Sequence, residues 1–141
     1  MSFPGGRAEP GDPTASAVAE RETLEEIGLC LDASHRVGPL PMLPKIRRGL
    51  SLFPFVYFVD QSVRSQATVR MPEEVASVFW VPLQHLFDPD AVTQLDYSLD
   101  GNELTFPGVQ FDEHVIWGLT LRVISSFAML VDRPLPALES R

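Results

Sequence analysis

The sequence RETLEEIGL, Arg21–Leu29, places three glutamates close together just before a glycine. Glu22, Glu25 and Glu26 stand three and four residues apart, so they share one face of a helix. Like charges at this spacing repel one another, and no lysine separates them as on an ordinary solvated face. Glu26 also falls in the last helical turn, where the helix dipole disfavours an anion. Taken alone, the cluster indicates either a site for a hard cation such as Mg²⁺ or Mn²⁺, or an acidic surface helix.

The residues around the glutamates set the expected bounds of this helix. Asp12 is predicted as its N-cap and Pro13 as its first residue, where the missing N–H of proline costs little. Gly28 suits the left-handed residue that often follows the end of a helix. We therefore predict a helix over residues 13–27. Its buried face should lie opposite the glutamates and contain Ala17, Leu24 and Ile27.

Composition narrows the class of protein. A chain of 141 residues with 45% apolar residues suits one domain with a single core. A net charge of -8 and a pI near 4.7 argue against partners such as nucleic acid or an anionic membrane. The lone cysteine, Cys30, excludes an internal disulfide and favours a cytoplasmic location. Because it follows the helix-ending glycine among apolar neighbours, we expect a buried structural thiol rather than a nucleophile.

The rest of the chain alternates strand and helix patterns, which predicts a layered α/β or α+β domain. Apolar, β-branched and aromatic runs predict buried strands, the first with Pro54 as a bulge or edge device. An Asp100-Gly101 turn predicts a hairpin. The expected elements are strands at 51–60 and 75–83, a helical turn at 83–87, a hairpin within 95–109 and a long helix at 112–131. We assign residues 1–131 to the domain and 132–141 to a flexible tail.

The glycine and glutamate spacing resembles the Nudix box, G-x5-E-x7-R-E-U-x-E-E-x-G-U, where U is a bulky aliphatic residue. There are three departures: Asp12 replaces the usual glutamate, its spacing to Arg21 is one residue longer, and Thr23 replaces an aliphatic residue. The chain is thereby identified as a member of the Nudix hydrolase superfamily. The matching residues are Gly6, Arg21, Glu22, Glu25, Glu26, Gly28 and Leu29.

This resemblance implies an α/β/α sandwich with a mixed sheet, and hydrolysis of a nucleoside diphosphate linked to another moiety. It implies that Arg21 pairs with and orients the glutamates, and that Glu22 or Glu25 accepts a proton from the attacking water. Asp12 is expected to be a helix cap rather than a ligand. The implied ligands of Mg²⁺ or Mn²⁺ are Glu22, Glu25, Glu26 and the carbonyl of Gly6.

Two short segments resemble the coenzyme A diphosphatase branch, whose members cleave coenzyme A into 3',5'-ADP and 4'-phosphopantetheine. They are SFPGGR at residues 2–7 and HVIWGLTLRVI at residues 114–124. That branch carries strands upstream of FPGG, so the resemblance implies a sheet that lacks its leading strands. A bare sheet edge favours pairing with a second chain, and we expect a homodimer or aggregation.

Basic residues in this acidic chain are candidates for binding substrate phosphates. Lys45, Arg47 and Arg48 lie together in LPKIRRG, which is either a site for the 3'-phosphate or diphosphate, or a soluble hairpin tip. Arg7 is a second candidate. Glu74, or its neighbour Glu73, is either an additional base or metal ligand, or part of a plain turn.

Other residue types favour packing over chemistry. His114, Trp117 and Phe127 are expected to pack or lie on the surface, rather than act as a catalyst or stack on adenine. Two further functions are consistent with the sequence. One is hydrolysis of a different nucleotide, such as an NADH-like compound or an ADP-sugar, and the other is a catalytically silent binding module.

Overall fold

The computed structural model describes residues 1–47, 49–99 and 102–139. The chain divides into two compact units. We call Pro4–Phe79 the glutamate unit, and Met1–Phe3 together with Trp80–Arg141 the hairpin unit. Both contain helices and strands, which confirms the mixed α/β class. Every strand pair among the described residues is antiparallel, and the pairs form three small sheets.

The glutamate unit begins with helix α1, Ala15–Ile27. Its N-cap is Thr14, whose hydroxyl accepts a hydrogen bond from the Ala17 amide at 3.1 Å. The predicted start at Pro13 with Asp12 as the cap is therefore wrong, because Thr14 satisfies the free amide instead. The predicted end is confirmed: Gly28 is left-handed, with φ 72°, and donates its amide to the Leu24 carbonyl.

Burial along α1 differs from the predicted pattern. Leu24 is 48% exposed, whereas Thr23 and Glu26 are buried. The Thr23 hydroxyl donates to the Ala19 carbonyl at 2.6 Å, so it is satisfied within the helix. The buried side of α1 is thus rotated relative to the prediction, and it carries one of the three glutamates.

Four short strands follow α1 in the glutamate unit. Strand β1, Arg36–Pro39, pairs with β4, Phe55–Tyr57, and β2, Leu43–Arg47, pairs with β3, Leu50–Leu52. Helix α2, Gln61–Arg64, comes next.

A shared carboxylate ties α1 to the first of these strand pairs. Glu20 accepts from Arg36 at 2.5 Å and from the Tyr57 hydroxyl at 2.8 Å. Burial and the neighbouring carboxylate raise the pKa of Tyr57, so the phenol remains a hydrogen-bond donor to Glu20.

Both strands predicted from apolar runs in the middle of the chain need correction. The run at 51–60 is interrupted at Pro54, which has no amide to donate, and Phe53 and Phe58 are 54% and 75% exposed. Residues 75–82 contain no strand; a turn closes just before them, with the Val75 amide on the Met71 carbonyl. Apolar and β-branched composition alone was insufficient there, because no neighbouring strand pairs with the segment. The predicted helical turn Leu83–Phe87 is confirmed as a 3₁₀ helix.

In the hairpin unit a second 3₁₀ turn, Pro89–Ala91, leads into a three-stranded antiparallel sheet. Its strands are β5, Val92–Leu99, β6, Asn102–Phe111, and β7, His114–Trp117. Pairing of β5 with β6 confirms the predicted hairpin, whereas the Asp100-Gly101 turn lies outside the described residues.

One face of this sheet packs on helix α3, Gly118–Leu130, and on the short helix α4, Pro136–Glu139. Val109 and Ile116 are opposite each other on adjacent strands and are each 1% exposed. Burial of each such side chain stabilises the fold by about 1.5–3 kcal/mol.

The predicted helix at 112–131 starts too early. Residues 114–117 pair with β6 as β7, so the helix begins only at Gly118. The β-branched pair Val115 and Ile116 fits a strand, and its cross-strand hydrogen bonds outweigh the helical pattern that continues after it.

Three further properties concern surface and termini. Leu135 and Ala137 are 1% and 4% exposed in the core of the hairpin unit, which differs from the flexible tail predicted for 132–141. Cys30 is exposed, so the prediction of a buried thiol is wrong; its neighbour Leu29 is the buried residue. In the described part of the chain, no helix has the length and apolar character needed to cross a membrane.

Candidate active site

Arg21 connects the loop before α1 to the glutamates on it. Its Nε and Nη2 donate to the two carboxylate oxygens of Asp12, each at 3.1 Å, and Nη2 also donates to the Arg7 carbonyl at 3.1 Å. The Asp12 carboxylate in turn accepts the Glu9 amide at 2.8 Å. These contacts hold the pKa of Asp12 below its usual value and raise the pKa of Arg21, so both groups stay charged.

The same guanidinium also contacts two of the glutamates. Arg21 Nη1 lies 2.9 Å from Glu25 Oε2 and 3.1 Å from Glu22 Oε1. One cation therefore offsets part of the repulsion between carboxylates that the sequence brings together. The ion pairs give Arg21 the geometry of a positioning residue, and its role in a reaction stays a prediction.

Glu26 has a different environment from the other two glutamates. Its side chain is buried, and Oε1 accepts the Gly5 amide at 3.2 Å. Burial raises the pKa of Glu26, and the charges of Glu22, Glu74 and Glu25 raise it further. Glu26 is thus a desolvated carboxyl surrounded by like charge, the condition in which a bound cation is most favourable.

Two predicted site residues outside α1 lie near these carboxylates. A side chain at Gly6 would overlap the Glu22 carboxylate, so this glycine allows the loop to approach α1 closely. Glu74 is exposed beside the turn at 71–75, and its charge contributes to the raised pKa of Glu26. The ligand role of the Gly6 carbonyl and the base or ligand role of Glu74 stay predictions.

The structure gives fewer contacts for the basic residues that are candidates for binding substrate phosphates. Arg7 accepts Arg21 through its backbone carbonyl. Lys45 and Arg47 belong to β2, and Arg48 lies outside the described residues. Substrate binding by these four residues therefore stays a prediction.

The carboxylates of the site differ in how well their geometry and their chemistry suit a divalent cation. Over residues 1–47, 49–99 and 102–139, no three His, Cys, Asp or Glu side chains are arranged to hold a metal ion. The chemistry of the donors fits, since Glu22, Glu25 and Glu74 are carboxylates whose charges act on a buried Glu26 with a raised pKa. Arg21 pairs with Oε1 of Glu22 and with Oε2 of Glu25, so the other oxygen of each carboxylate is the candidate donor to a cation.

Sequence reasoning missed two contacts of this site. The Gly5 amide on Glu26 depends on how the loop folds over α1, and no spacing rule predicts it. The partnership of Asp12 with Arg21 was also missed, although a carboxylate nine positions before a box arginine could have suggested it.

Comparison with known proteins identifies the family. The NUDIX domain model matches residues 1–100, which include α1, Arg21, Glu26 and the three glutamates whose charges affect Glu26. The chain therefore belongs to the Nudix hydrolase family, as the box predicted. Members of this family act on diphosphate linkages and generally need divalent metal ions.

The alignments to curated relatives cover nearly the whole chain. An uncharacterized Nudix hydrolase NudL of Photorhabdus laumondii is 30% identical over 131 residues, 93% of this chain and 68% of the relative. The human mitochondrial coenzyme A diphosphatase NUDT8 is 33% identical over 138 residues, 95% of this chain and 56% of the relative. An uncharacterized NudL of Yersinia enterocolitica is 30% identical over 132 residues, 94% of this chain and 66% of the relative. The chain thus spans between about half and two thirds of the length of these proteins.

Proposed function

We propose that this chain hydrolyses the diphosphate linkage of coenzyme A or its thioesters. The products are 3',5'-ADP and 4'-phosphopantetheine or its acyl form. The proposal is supported by 33% identity to a coenzyme A diphosphatase along 95% of the chain. It is also supported by the FPGG segment at residues 3–6 and the WGLT segment at residues 117–120.

The observation that carries the proposal is the carboxylate cluster around Glu26. Burial raises the pKa of its carboxyl, and the charges of three other glutamates raise it further. Such a cluster is unfavourable by itself and becomes favourable with a hard cation. The proposed ligands of Mg²⁺ or Mn²⁺ are Glu22, Glu25, Glu26 and the Gly6 carbonyl.

The chemistry needs neutralised phosphate charge and a deprotonated water. A divalent cation, when bound, supplies the neutralising charge and acidifies the attacking water. Glu22 or Glu25 accepts the proton of that water, and Glu74 is an additional candidate for base or ligand. Arg21 positions Glu22 and Glu25 through its two ion pairs. In this scheme water attacks phosphorus directly, and no side chain forms a covalent intermediate.

A binding module without catalysis is the second candidate function, and one observation favours it. Arg21 engages both Glu22 and Glu25, and these carboxylates do not converge with Glu26 on one point in the described residues. A module of this kind binds a nucleotide without cleaving it.

For the compartment, we propose the cytoplasm, since a free exposed thiol such as Cys30 suits a reducing environment.

Product analysis distinguishes these functions. The purified chain is incubated with Mg²⁺ or Mn²⁺ and coenzyme A, dephospho-coenzyme A, NADH or ADP-ribose, and the products are separated by chromatography. We expect 3',5'-ADP from coenzyme A at a higher kcat/KM than for NADH or ADP-ribose. Preferred cleavage of one of those two substrates would indicate a different Nudix hydrolase. Binding without any cleavage would indicate the silent module.

A matched pair of variants connects the activity to the carboxylates. Glu25→Gln combined with Glu26→Gln should abolish metal-dependent turnover and Mn²⁺ binding, while the protein stays folded because repulsion is relieved. Glu103→Gln is the control, since Glu103 is exposed and has no proposed role in the site. Unchanged Mn²⁺ affinity of the double variant, measured by calorimetry, would contradict the proposed metal site.

A further inference from the structure

Residues 68–70 are fixed to the end of the glutamate helix. The Thr68 amide donates to the Ile27 carbonyl and the Arg70 amide to the Glu26 carbonyl, both at 2.9 Å. These bonds satisfy carbonyls that the last turn of a helix leaves free. The backbone of Arg70 is thereby held next to a residue of the carboxylate cluster, although the two are far apart in sequence.

The side chain of Arg70 lies over Gly28. A Cβ placed on Gly28 would be 2.8 Å from Arg70 Nε, 3.3 Å from Cγ and 3.4 Å from Cζ. Gly28 is also left-handed, with φ 72°. The glycine that ends α1 therefore has a second effect: it leaves room for a guanidinium to lie across the helix end.

The charge of Arg70 remains available for a ligand. Arg21 is engaged by Asp12, Glu22 and Glu25, and Arg36 is engaged by Glu20. Arg70 is exposed and makes no side-chain hydrogen bond or ion pair within the described ranges 1–47, 49–99 and 102–139. An exposed guanidinium, whose backbone amide is bonded to the Glu26 carbonyl, provides positive charge that offsets the repulsion between these carboxylates and an anionic substrate.

We infer that Arg70 binds a phosphate oxygen of the substrate's diphosphate. This inference rests on the proposed function, since it assumes a diphosphate at the carboxylate cluster. The backbone bond to Glu26 keeps Arg70 beside the part of the substrate that this cluster would bind. The guanidinium donates paired N–H groups to phosphate oxygens, a geometry that lysine cannot reproduce. Arg70 thus contributes to substrate affinity rather than to proton transfer.

The inference is tested with Arg70→Gln, Arg70→Lys and the control Arg122→Gln, an exposed arginine on α3. For Arg70→Gln we expect KM for coenzyme A and for dephospho-coenzyme A to rise equally, by roughly tenfold, with little change in kcat. Arg70→Lys should raise both KM values nearly as much, and Arg122→Gln should have the KM values of the unmodified protein. A higher KM for coenzyme A with an unchanged KM for dephospho-coenzyme A would assign Arg70 to the 3'-phosphate and overturn the inference.

A second measurement does not depend on turnover. Methylenediphosphonate, which resists hydrolysis, is titrated into each protein with Mg²⁺ present, and binding is followed by calorimetry. Weaker binding by Arg70→Gln and Arg70→Lys, with unfolding temperatures unchanged, supports the inference even if coenzyme A is not cleaved. Unchanged diphosphonate affinity in both variants overturns it, as does no binding by the unmodified protein. A lower unfolding temperature with unchanged affinity would instead assign Arg70 to stabilising the helix end.

Discussion

Glu26 is a buried carboxyl whose pKa is raised above its ordinary value of 4.5, first by burial and then by neighbouring glutamates. In the unfolded chain the same group titrates normally. Ionised Glu26 therefore destabilises the folded state at pH values above its folded pKa, and the penalty disappears once both states are protonated, below about 4.5. Without added metal, the protein should thus lose stability at this site as pH rises.

We predict that Glu26→Gln raises the unfolding temperature at pH 7 by a few degrees, because glutamine removes the charge and keeps an oxygen for the Gly5 amide. The gain should shrink as pH falls towards 4.5. Thermal unfolding followed by circular dichroism across this range measures it, with Glu73→Gln as the exposed control. A gain that persists unchanged below pH 4, or a loss at pH 7, would contradict the assignment.

Single residues of the site were predictable to different degrees. The shared face of Glu22, Glu25 and Glu26 follows from helical spacing, and Arg21 follows from the box. The function of Asp12 was not predictable in the same way, since a carboxylate before a helix can cap it or pair with an arginine. Thr14 takes the cap, which leaves Asp12 for Arg21. Local sequence does not rank these two competing bonds.

Among the elements, strand β2 carries Lys45 and Arg47, and Arg48 follows it in the sequence; these three residues are the candidates for binding the 3'-phosphate of coenzyme A. We predict that replacing Lys45, Arg47 and Arg48 with alanine raises KM for coenzyme A by about tenfold and leaves KM for dephospho-coenzyme A unchanged. The physical reason is that only coenzyme A has a 3'-phosphate for these cations to bind. Steady-state kinetics on both substrates provides the measurement, and Arg122→Ala is the exposed control.

Kinetics on the two substrates also distinguishes the role of these basic residues from the role of Arg70. Equal losses on both substrates would assign these basic residues to the diphosphate or to folding. The expected pattern for Arg70 is the opposite, with equal losses on both substrates. Swapped results would therefore exchange the two assignments.

Helices and strands were predicted correctly where neighbouring sequence signals agree, and incorrectly where pairing with a distant strand determines the structure. The hairpin of β5 and β6 has a turn signal between two strand patterns, and α1 has a glycine stop. By contrast, β7 shares an apolar run with α3, and only its pairing with β6 separates the two. Residues 75–82 have strand composition without a strand partner. Non-local contacts of this kind cannot be read from one segment.

At the scale of the whole molecule, exposed aromatic residues favour association. Phe53 and Phe58 are 54% and 75% exposed in the glutamate unit. The β1–β4 and β2–β3 sheets have only two strands each in the described part of the chain, so their outer edges can accept another strand. We propose that the chain forms a homodimer through this surface, since a symmetric dimer buries the same patch on both copies.

We predict that sedimentation velocity detects a dimer whose population rises with protein concentration. Changing both Phe53 and Phe58 to serine should shift the protein to monomer, because the apolar area that drives association is lost. The control changes Met129 and Leu130 to serine; these are exposed at 64% and 63% in the hairpin unit. A compact monomer of the unmodified chain at all concentrations would contradict the proposal.

Both tryptophans, Trp80 and Trp117, belong to the hairpin unit, and the glutamate unit has none. The Trp117 ring lies 5.3 Å from that of Tyr97 and 5.5 Å from that of Phe106, so its emission depends on the packing of the β5–β7 sheet. Tryptophan fluorescence, excited at a wavelength that Tyr57 of the glutamate unit does not absorb, therefore reports melting of the hairpin unit and does not report on the helix that bears the glutamates. Far-ultraviolet dichroism detects both units. If Mg²⁺ delays the dichroic transition and leaves the emission transition in place, the two units melt as separate cooperative blocks.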